Sequence, residues 1–119
     1  KSKNIKLMDY IKELKQEFKI GLLSNISSDW VREVFLDQQE QKNFDDIVFS
    51  YEVGLIKPSA EIFELSCSRL GVQTKESVFI DDNEVNCEGA SKVGMKAILY
   101  RNFDSFKKEV ERVLDVRVE

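Results

Sequence analysis

Two adjacent carboxylates, Asp81 and Asp82, are the residues whose types and spacing most directly suggest chemistry. They follow the apolar residues 78–80, which are predicted to form a fully buried strand, so both acids would lie where that strand ends. Like charges held side by side repel, and a hard divalent cation such as Mg²⁺ would relieve the repulsion through oxygen ligation. In many loops after a strand, one acidic side chain simply caps the next helix and the other lies in water. The acidic pair alone does not decide between such a loop and a metal site.

Three further polar residues are predicted to reach the same place. Ser24 and Asn25 follow a second apolar run, and Lys57 lies in a loop before the only proline, Pro58. Because the carboxyl ends of parallel strands meet at one edge of a sheet, these groups and the two acids would share a crevice. A hydroxyl and the backbone amides of a helix N-terminus suit phosphate oxygens, and an ammonium would offset the phosphate charge. The set favours phosphoryl chemistry, although each of these residues is individually more common as an ordinary turn or loop residue.

The elements that must position these residues alternate between strand and helix. Apolar residues recur every three or four positions over residues 5–18, which predicts an amphipathic first helix. Strands are predicted at 20–24, 46–50, 77–81 and 97–100, helices at 30–39 and 58–70, and an irregular connection at 51–58. Asn83 and Asp104 are predicted to cap the last two helices. This order predicts an α/β fold, a Rossmann-like three-layer αβα arrangement with a mostly parallel sheet.

Composition excludes several classes of function. The chain has 119 residues and a net charge of −4 spread along its length, so we expect no nucleic-acid partner. It has no apolar run of about 18 residues and no signal peptide, so we expect no membrane partner and a cytoplasmic location. Histidine is absent, which excludes Ser-His or Cys-His catalysis and histidine-ligated zinc within this chain. Cys67 lies among apolar helical residues and is predicted to be a reduced core residue.

Three short runs resemble, in order, the second, third and fourth motifs of the haloacid dehalogenase (HAD) superfamily. They are Leu22-Leu23-Ser24-Asn25, Gly54-Leu55-Ile56-Lys57-Pro58 and Val78-Phe79-Ile80-Asp81-Asp82-Asn83. Residues 86–95 look like the usual tail of the fourth motif, and the resemblance extends from residue 20 to residue 100. It points to the branch whose cap domain follows the first motif, which includes sugar-phosphate phosphatases and epoxide-hydrolase-like phosphatase domains.

The resemblance implies a role for each matching residue. Ser24 and Asn25 would bind phosphate, and Lys57 would bind it too and act catalytically by stabilising a phosphoaspartyl intermediate. The resemblance also implies a metal site in which Asp82 coordinates Mg²⁺, with Asp81 and Asn86 supporting it. The acidic pair also favours a Mg²⁺-dependent phosphatase over a metal-free dehalogenase.

The sequence departs from the family pattern at its beginning. The first motif, Asp-x-Asp, supplies the nucleophile and a general acid/base, and no such sequence precedes Ser24. We therefore expect residues 1–119 to be a single partial HAD-like core domain without its first strand and its cap. Since the chain starts at Lys1, we expect it to be the C-terminal part of a longer phosphatase that acts on a small phosphorylated metabolite. Its partner would be the N-terminal remainder that carries the nucleophile, and the chain alone would be inactive.

Two other functions are compatible with parts of the pattern. A non-catalytic module of the same fold would bind phosphate or a partner without turnover, and an Asp-x-Asp motif in the parent sequence would argue against it. A phospho-receiver domain also uses aspartate, lysine and Mg²⁺. Its acidic pair follows the first strand and its lysine comes last, whereas Lys57 precedes the acidic pair here. The receiver is therefore disfavoured.

Overall fold

The computed structural model describes residues 5–24 and 42–114 of the chain. Its helices are α1 Ile5–Leu14, α2 Ser50–Val53, α3 Ala60–Leu70, α4 Glu84–Lys92 and α5 Phe103–Leu114. Its strands are β1 Gly21–Ser24, β2 Asp46–Phe49, β3 Val78–Asp81 and β4 Lys96–Leu99. None of the described helices is long and apolar enough to cross a membrane. The helix predicted at 30–39 and the residue Asn25 lie outside the described part of the chain.

The chain divides into two compact units, Lys1–Ile56 and Lys57–Glu119. Each unit holds one parallel pair of strands, β1 with β2 and β3 with β4. Parallel neighbours need a crossover connection, and α4 provides it between β3 and β4. The predicted α/β class is confirmed, while a single domain over residues 1–119 stays a prediction.

The first unit begins with the amphipathic helix that the spacing of apolar residues predicts. Tyr10 and Leu14 on its apolar face are 3% and 5% exposed. The helix ends at Leu14 rather than at residue 18, because the chain tightens into a turn there. The Leu14 carbonyl accepts hydrogen bonds from the N–H groups of both Glu17 and Phe18, at 3.0 and 2.9 Å. Shared carbonyls of this kind are common at helix ends.

The connection after β2 was predicted to be irregular, and this was wrong for its first part. Residues Ser50–Val53 form a single helical turn, α2. Gly54 ends the turn with a φ of 71°, and its N–H donates to the Ser50 carbonyl at 2.9 Å. Glycine reaches this left-handed conformation without the steric penalty of a Cβ, which is why the turn ends here.

Asp45, just before β2, hydrogen-bonds with residues just after α1 and just before β1. Its carboxylate accepts from Lys15 Nζ at 2.6 Å and from the Ile20 N–H at 2.7 Å. The hydrogen bond from Lys15 is the main reason why the pKa of Asp45 lies below its ordinary value.

Stability should therefore depend on Asp45 at acid pH. A carboxyl whose pKa is lowered by folding stabilises the fold above its unfolded pKa of about 3.9, and loses that effect as the pH falls through the folded value. We expect Asp45→Asn to be less stable than the wild type at pH 7, with the difference shrinking below about pH 4. Thermal unfolding at pH 7 and below about pH 4 measures the difference in stability between the variant and the wild type. The control is Asp9→Asn, at an exposed position of α1. A difference that is the same at both pH values would contradict the expectation.

The second unit packs its helices around β3 and β4 with a core of mixed aliphatic and aromatic residues. The most deeply buried of its residues are Ile62, Phe63, Ala90, Phe106 and Val110. Cys67 is a free, buried cysteine, as predicted. Gly71 ends α3 with a φ of 75°.

Two predictions about the second unit need correction. The N-cap of α5 is Asn102 rather than Asp104, because Asn102 Oδ1 accepts from the Ser105 N–H at 2.9 Å. The strand β3 is not fully buried, since Ile80 is 38% exposed while Phe79 is 7% exposed. Ile80 pairs in register with Ile98 of β4. The helix α5 packs against β4, and Ile98 of that strand is 4% exposed.

Candidate active site

The carboxyl group of Asp81, at the end of β3, is the centre of a buried hydrogen-bond cluster in the second unit. Its side chain is 9% exposed, and Lys57, 11% exposed, places Nζ 2.7 Å from Asp81 Oδ2. The same oxygen accepts from Asn86 Nδ2 at 3.2 Å, while Oδ1 accepts from the backbone N–H of Asn83 at 3.0 Å. Both oxygens of Asp81 are thus engaged by donors of this chain.

Lys57 is held between this acid and an aromatic ring. It precedes α3, and its peptide bond to Pro58 is cis. Lys57 Nζ lies 5.7 Å from the ring centroid of Phe79, within the range at which a cation is attracted to a π face. Phe79 packs edge-on against Phe63 of α3, with ring centroids 5.0 Å apart. The ammonium therefore has a defined position rather than the freedom of a surface lysine.

The first turn of α4 positions Asn86. Asn83 Oδ1 accepts from the Asn86 N–H at 3.1 Å, which is the N-cap predicted from the sequence. Asn86 is 8% exposed, and its amide turns toward Asp81. The neighbouring Cys87 is also buried, with Sγ 3.6 Å from the Asp81 carbonyl oxygen. One helical turn thus contacts both the carboxylate and the carbonyl of Asp81.

The pKa of Asp81 lies below its ordinary value as the result of opposing influences. Burial is the largest single influence and acts to raise the pKa, because it disfavours the charged form. The hydrogen bond and charge of Lys57 and the N–H of Asn83 act in the opposite direction and together outweigh burial. Asp81 is therefore an ionised partner of Lys57 at neutral pH. Burial, followed by the charge of Asp81, raises the pKa of the Cys87 thiol, so this thiol stays protonated.

Asp82 is the exposed member of the acidic pair. In the ranges 5–24 and 42–114, no group of three or more histidine, cysteine, aspartate or glutamate side chains could hold a metal ion. Mg²⁺, however, is commonly bound by only one or two protein carboxylates, with waters and substrate phosphate oxygens as the other ligands. The exposed Asp82 carboxylate and the neighbouring oxygens of Asp81 and Asn86 fit part of such a site by their chemistry.

The structure brings together some of the site residues predicted from the sequence. Lys57, Asp81 and Asn86 form one cluster, and Asp82 is next to it. Ser24 ends β1 in the first unit. Its side chain lies outside what the structure describes, as does Asn25, so the phosphate contacts of both residues stay predictions.

Two features of the site were missed at the level of sequence. Lys57 was assigned to phosphate and Asp81 to a metal, and their direct ion pair was not foreseen. Phe79 was assigned only to a buried strand, although its ring lies beneath the Lys57 ammonium. Opposite charges placed at the same sheet edge were the available signal for the ion pair. The position of the ring depends on the packing of α3, for which the sequence has no comparable signal.

A family model described as haloacid dehalogenase-like hydrolase matches residues 5–94. The chain belongs to this family. The resemblance to the HAD superfamily is thus confirmed, while the assignment of the individual motifs around Ser24, Lys57 and Asp81 stays a prediction.

Relatives of the chain include one protein named as a phosphatase and one named as an epoxide hydrolase. The chain is 33% identical over 91 residues to N-acylneuraminate-9-phosphatase of Homo sapiens, a match that covers 76% of the chain and 37% of that protein. It is 33% identical over 76 residues to bifunctional epoxide hydrolase 2 of Sus scrofa, which covers 64% of the chain and 14% of that protein. The chain thus spans well under half the length of these curated relatives.

Solved structures share the fold over most of the chain. An uncharacterized protein from Corynebacterium glutamicum is 20% identical with a TM-score of 0.88, and the match covers 97% of this chain and 85% of that one. A HAD family enzyme from Bacteroides thetaiotaomicron, solved in complex with magnesium and inorganic phosphate, is 28% identical with a TM-score of 0.72. That match covers 82% of this chain and 52% of the other.

Proposed function

We propose that this chain is the C-terminal part of a Mg²⁺-dependent HAD phosphatase that hydrolyses a small phosphate monoester through an aspartyl-phosphate. The observation that carries the proposal is the buried cluster in which Lys57 and Asn86 both donate to Asp81, beside the exposed Asp82. Family membership and phosphatase relatives support the reaction class. The nucleophile would come from an upstream segment of the same protein.

In this function Lys57 supplies positive charge to the transferring phosphoryl group. Asp81 and Phe79 hold its ammonium in place before substrate arrives, so little reorganisation is needed when charge develops on the phosphoryl oxygens. An ammonium about 4 Å from a phosphate oxygen in a partly screened site contributes about 4 kcal/mol before desolvation is subtracted. Lys57 would thus stabilise the phosphoaspartyl intermediate.

Asp82 would hold the metal ion, because it is the exposed carboxylate of the pair. Bound there, Mg²⁺ supplies Lewis-acid polarisation of the phosphoryl group. Asp81 and Asn86 would support this site from beneath, with Asp81 engaged chiefly by Lys57. Ser24 and Asn25 would bind the remaining phosphate oxygens.

A non-catalytic binding module remains a second candidate, and one observation favours it. Both oxygens of Asp81 are engaged by this chain's own donors, and the described residues contain no complete metal cluster. Such a module would bind inorganic phosphate or a partner without turnover. An Asp-x-Asp motif in the parent sequence would argue for the enzyme, and its absence would argue for the module.

The direct test is hydrolysis of a panel of small phosphate monoesters by the intact parent protein. We expect release of inorganic phosphate that is lost on chelation with EDTA and restored by added Mg²⁺. The isolated chain of 13.8 kDa serves as a control and should show no turnover. Phosphate binding without hydrolysis by the parent would favour the binding module, and the absence of both would contradict the proposal.

A further inference from the structure

Gly89, in the interior of α4, lies closer to a neighbouring segment than any side chain would allow. A Cβ built on Gly89 would lie 2.7 Å from Pro58 Cβ, 2.8 Å from the Pro58 carbonyl oxygen and 3.2 Å from Phe63 Cε2. Glycine in a helix interior is less favourable than alanine, so helix propensity does not explain its presence here. The close approach of α4 to the Lys57–Pro58 segment does.

The residues that Gly89 accommodates lead directly to the active-site cluster. Pro58 is bonded to Lys57, which donates to Asp81 Oδ2 at 2.7 Å. Asn86 lies one helical turn before Gly89 in α4 and donates to that same oxygen at 3.2 Å. The two donors of Asp81 Oδ2 thus come from the two segments that meet at Gly89.

Gly89 is also connected to Lys57 through a second set of packing contacts, those of the aromatic rings. The Phe63 ring that borders it packs edge-on against Phe79. Phe79 lies beneath the ammonium of Lys57. A methyl group at position 89 would therefore press on the backbone beside Lys57 and on the aromatic pair that supports its ammonium.

We propose that Gly89 is a positioning residue for the active site. Its missing side chain lets α4 lie against Pro58 and Phe63, and this contact brings Lys57 and Asn86 onto one oxygen of Asp81. The contribution to turnover rests on the phosphatase function proposed above, whereas the positioning of Lys57 does not.

The first experiment follows the Lys57 ammonium by nitrogen-resolved NMR, where an ordered ammonium in an ion pair exchanges protons slowly enough to be seen. We expect a signal for Lys57 in the wild type and its loss in Gly89→Ala. The matched control is Glu88→Ala, an exposed neighbour on the same helix, which should keep the signal. A folded Gly89→Ala protein that keeps the Lys57 signal would overturn the proposal, and so would a wild type without one.

The second experiment measures steady-state kinetics of the intact parent. A misplaced catalytic group can lower the rate by up to about a hundredfold, so we expect kcat of Gly89→Ala to fall at least about tenfold with little change in KM. Loss of general stability alone would lower the amount of active enzyme but leave the kcat of the folded fraction unchanged. An unchanged kcat per folded molecule would overturn the proposed role in turnover.

The two experiments separate failure of this inference from failure of the proposed function. If the wild-type parent hydrolyses no phosphate monoester, the phosphatase function fails and the NMR experiment alone decides the role of Gly89. If Gly89→Ala does not fold, Phe63→Leu replaces it, because it removes the ring between α4 and Phe79 while leaving Gly89 and Pro58 in place. Loss of the Lys57 signal in folded Phe63→Leu supports the route from Gly89 through the aromatic pair, and a retained signal overturns that route.

Discussion

Asp82→Asn in the intact parent is expected to abolish Mg²⁺-dependent hydrolysis while leaving the fold unchanged. The substitution removes the charge of the exposed carboxylate proposed to hold the metal, and an amide oxygen is a much weaker ligand for a hard cation. Because the side chain is exposed, the free energy of unfolding should change by no more than about 0.5 kcal/mol. Phosphate release at increasing Mg²⁺ concentration measures the first effect, and chemical denaturation measures the second.

The control for this variant is Glu84→Gln, which removes an exposed acid two residues further along, in the first turn of α4. It should retain wild-type turnover, because the proposed metal site does not include it. Full activity of Asp82→Asn at ordinary Mg²⁺ concentrations would remove Asp82 from the metal site.

Lys57→Ala is expected to lower turnover strongly rather than only weaken substrate binding. The ammonium is positioned in advance, and its charge is needed most when charge develops on the phosphoryl oxygens. Loss of one such preorganised electrostatic contact commonly lowers kcat by about 10²–10³-fold, and we expect an effect of that size here. A simple rise in KM with unchanged kcat would contradict the role assigned to Lys57.

The same substitution should also lower stability, because it leaves a buried carboxylate without its charged partner. The Asp81 and Lys57 side chains are only 9% and 11% exposed, so water replaces the lost contact poorly. We expect the free energy of unfolding of Lys57→Ala at pH 7 to be about 2 kcal/mol lower than that of the wild type, as is typical for a lost hydrogen bond to a charged group.

A double-mutant cycle separates the ion pair from other effects of the substitution. The double variant Asp81→Asn with Lys57→Ala should be destabilised by less than the sum of the two single variants. Once residue 81 is neutral, removal of the Lys57 ammonium no longer leaves a buried carboxylate without a charged partner. Additive effects would show that the contact contributes little to stability.

The sequence alone was sufficient for the order and class of the longer helices and of the strands in the described ranges, but not for the helical turn Ser50–Val53. Alternating apolar strands and amphipathic helices predicted an α/β fold, and parallel pairing is observed in both units. Sequence signals predicted helix ends correctly at Asn83 and Gly71, where the interaction involves residues close together in the sequence. Asn83 caps α4 because its side chain reaches an amide three residues away, and Gly71 ends α3 because only glycine takes its conformation easily.

Tertiary structure decided which charged groups became partners. Lys57 and Asp81 are 24 positions apart, and their 2.7 Å contact depends on how the segment before α3 meets the end of β3. The position of Phe79 beneath Lys57 depends likewise on the packing of α3. Sequence patterns show which residues can ionise, but not which of them packing will bring within hydrogen-bond distance.

Gly89 and Ile80 show the same limit for apolar and small residues. Within α4 the sequence does not distinguish a glycine whose added Cβ would lie only 2.7 Å from Pro58 Cβ from one that merely weakens a helix. Ile80 is 38% exposed although it lies in an apolar run that predicts a buried strand, because burial depends on the neighbours that tertiary packing supplies. Local chemistry determined the elements and the candidate residues of this protein. Contacts between elements distant in sequence determined their exposure, their charge partners and the geometry of the site.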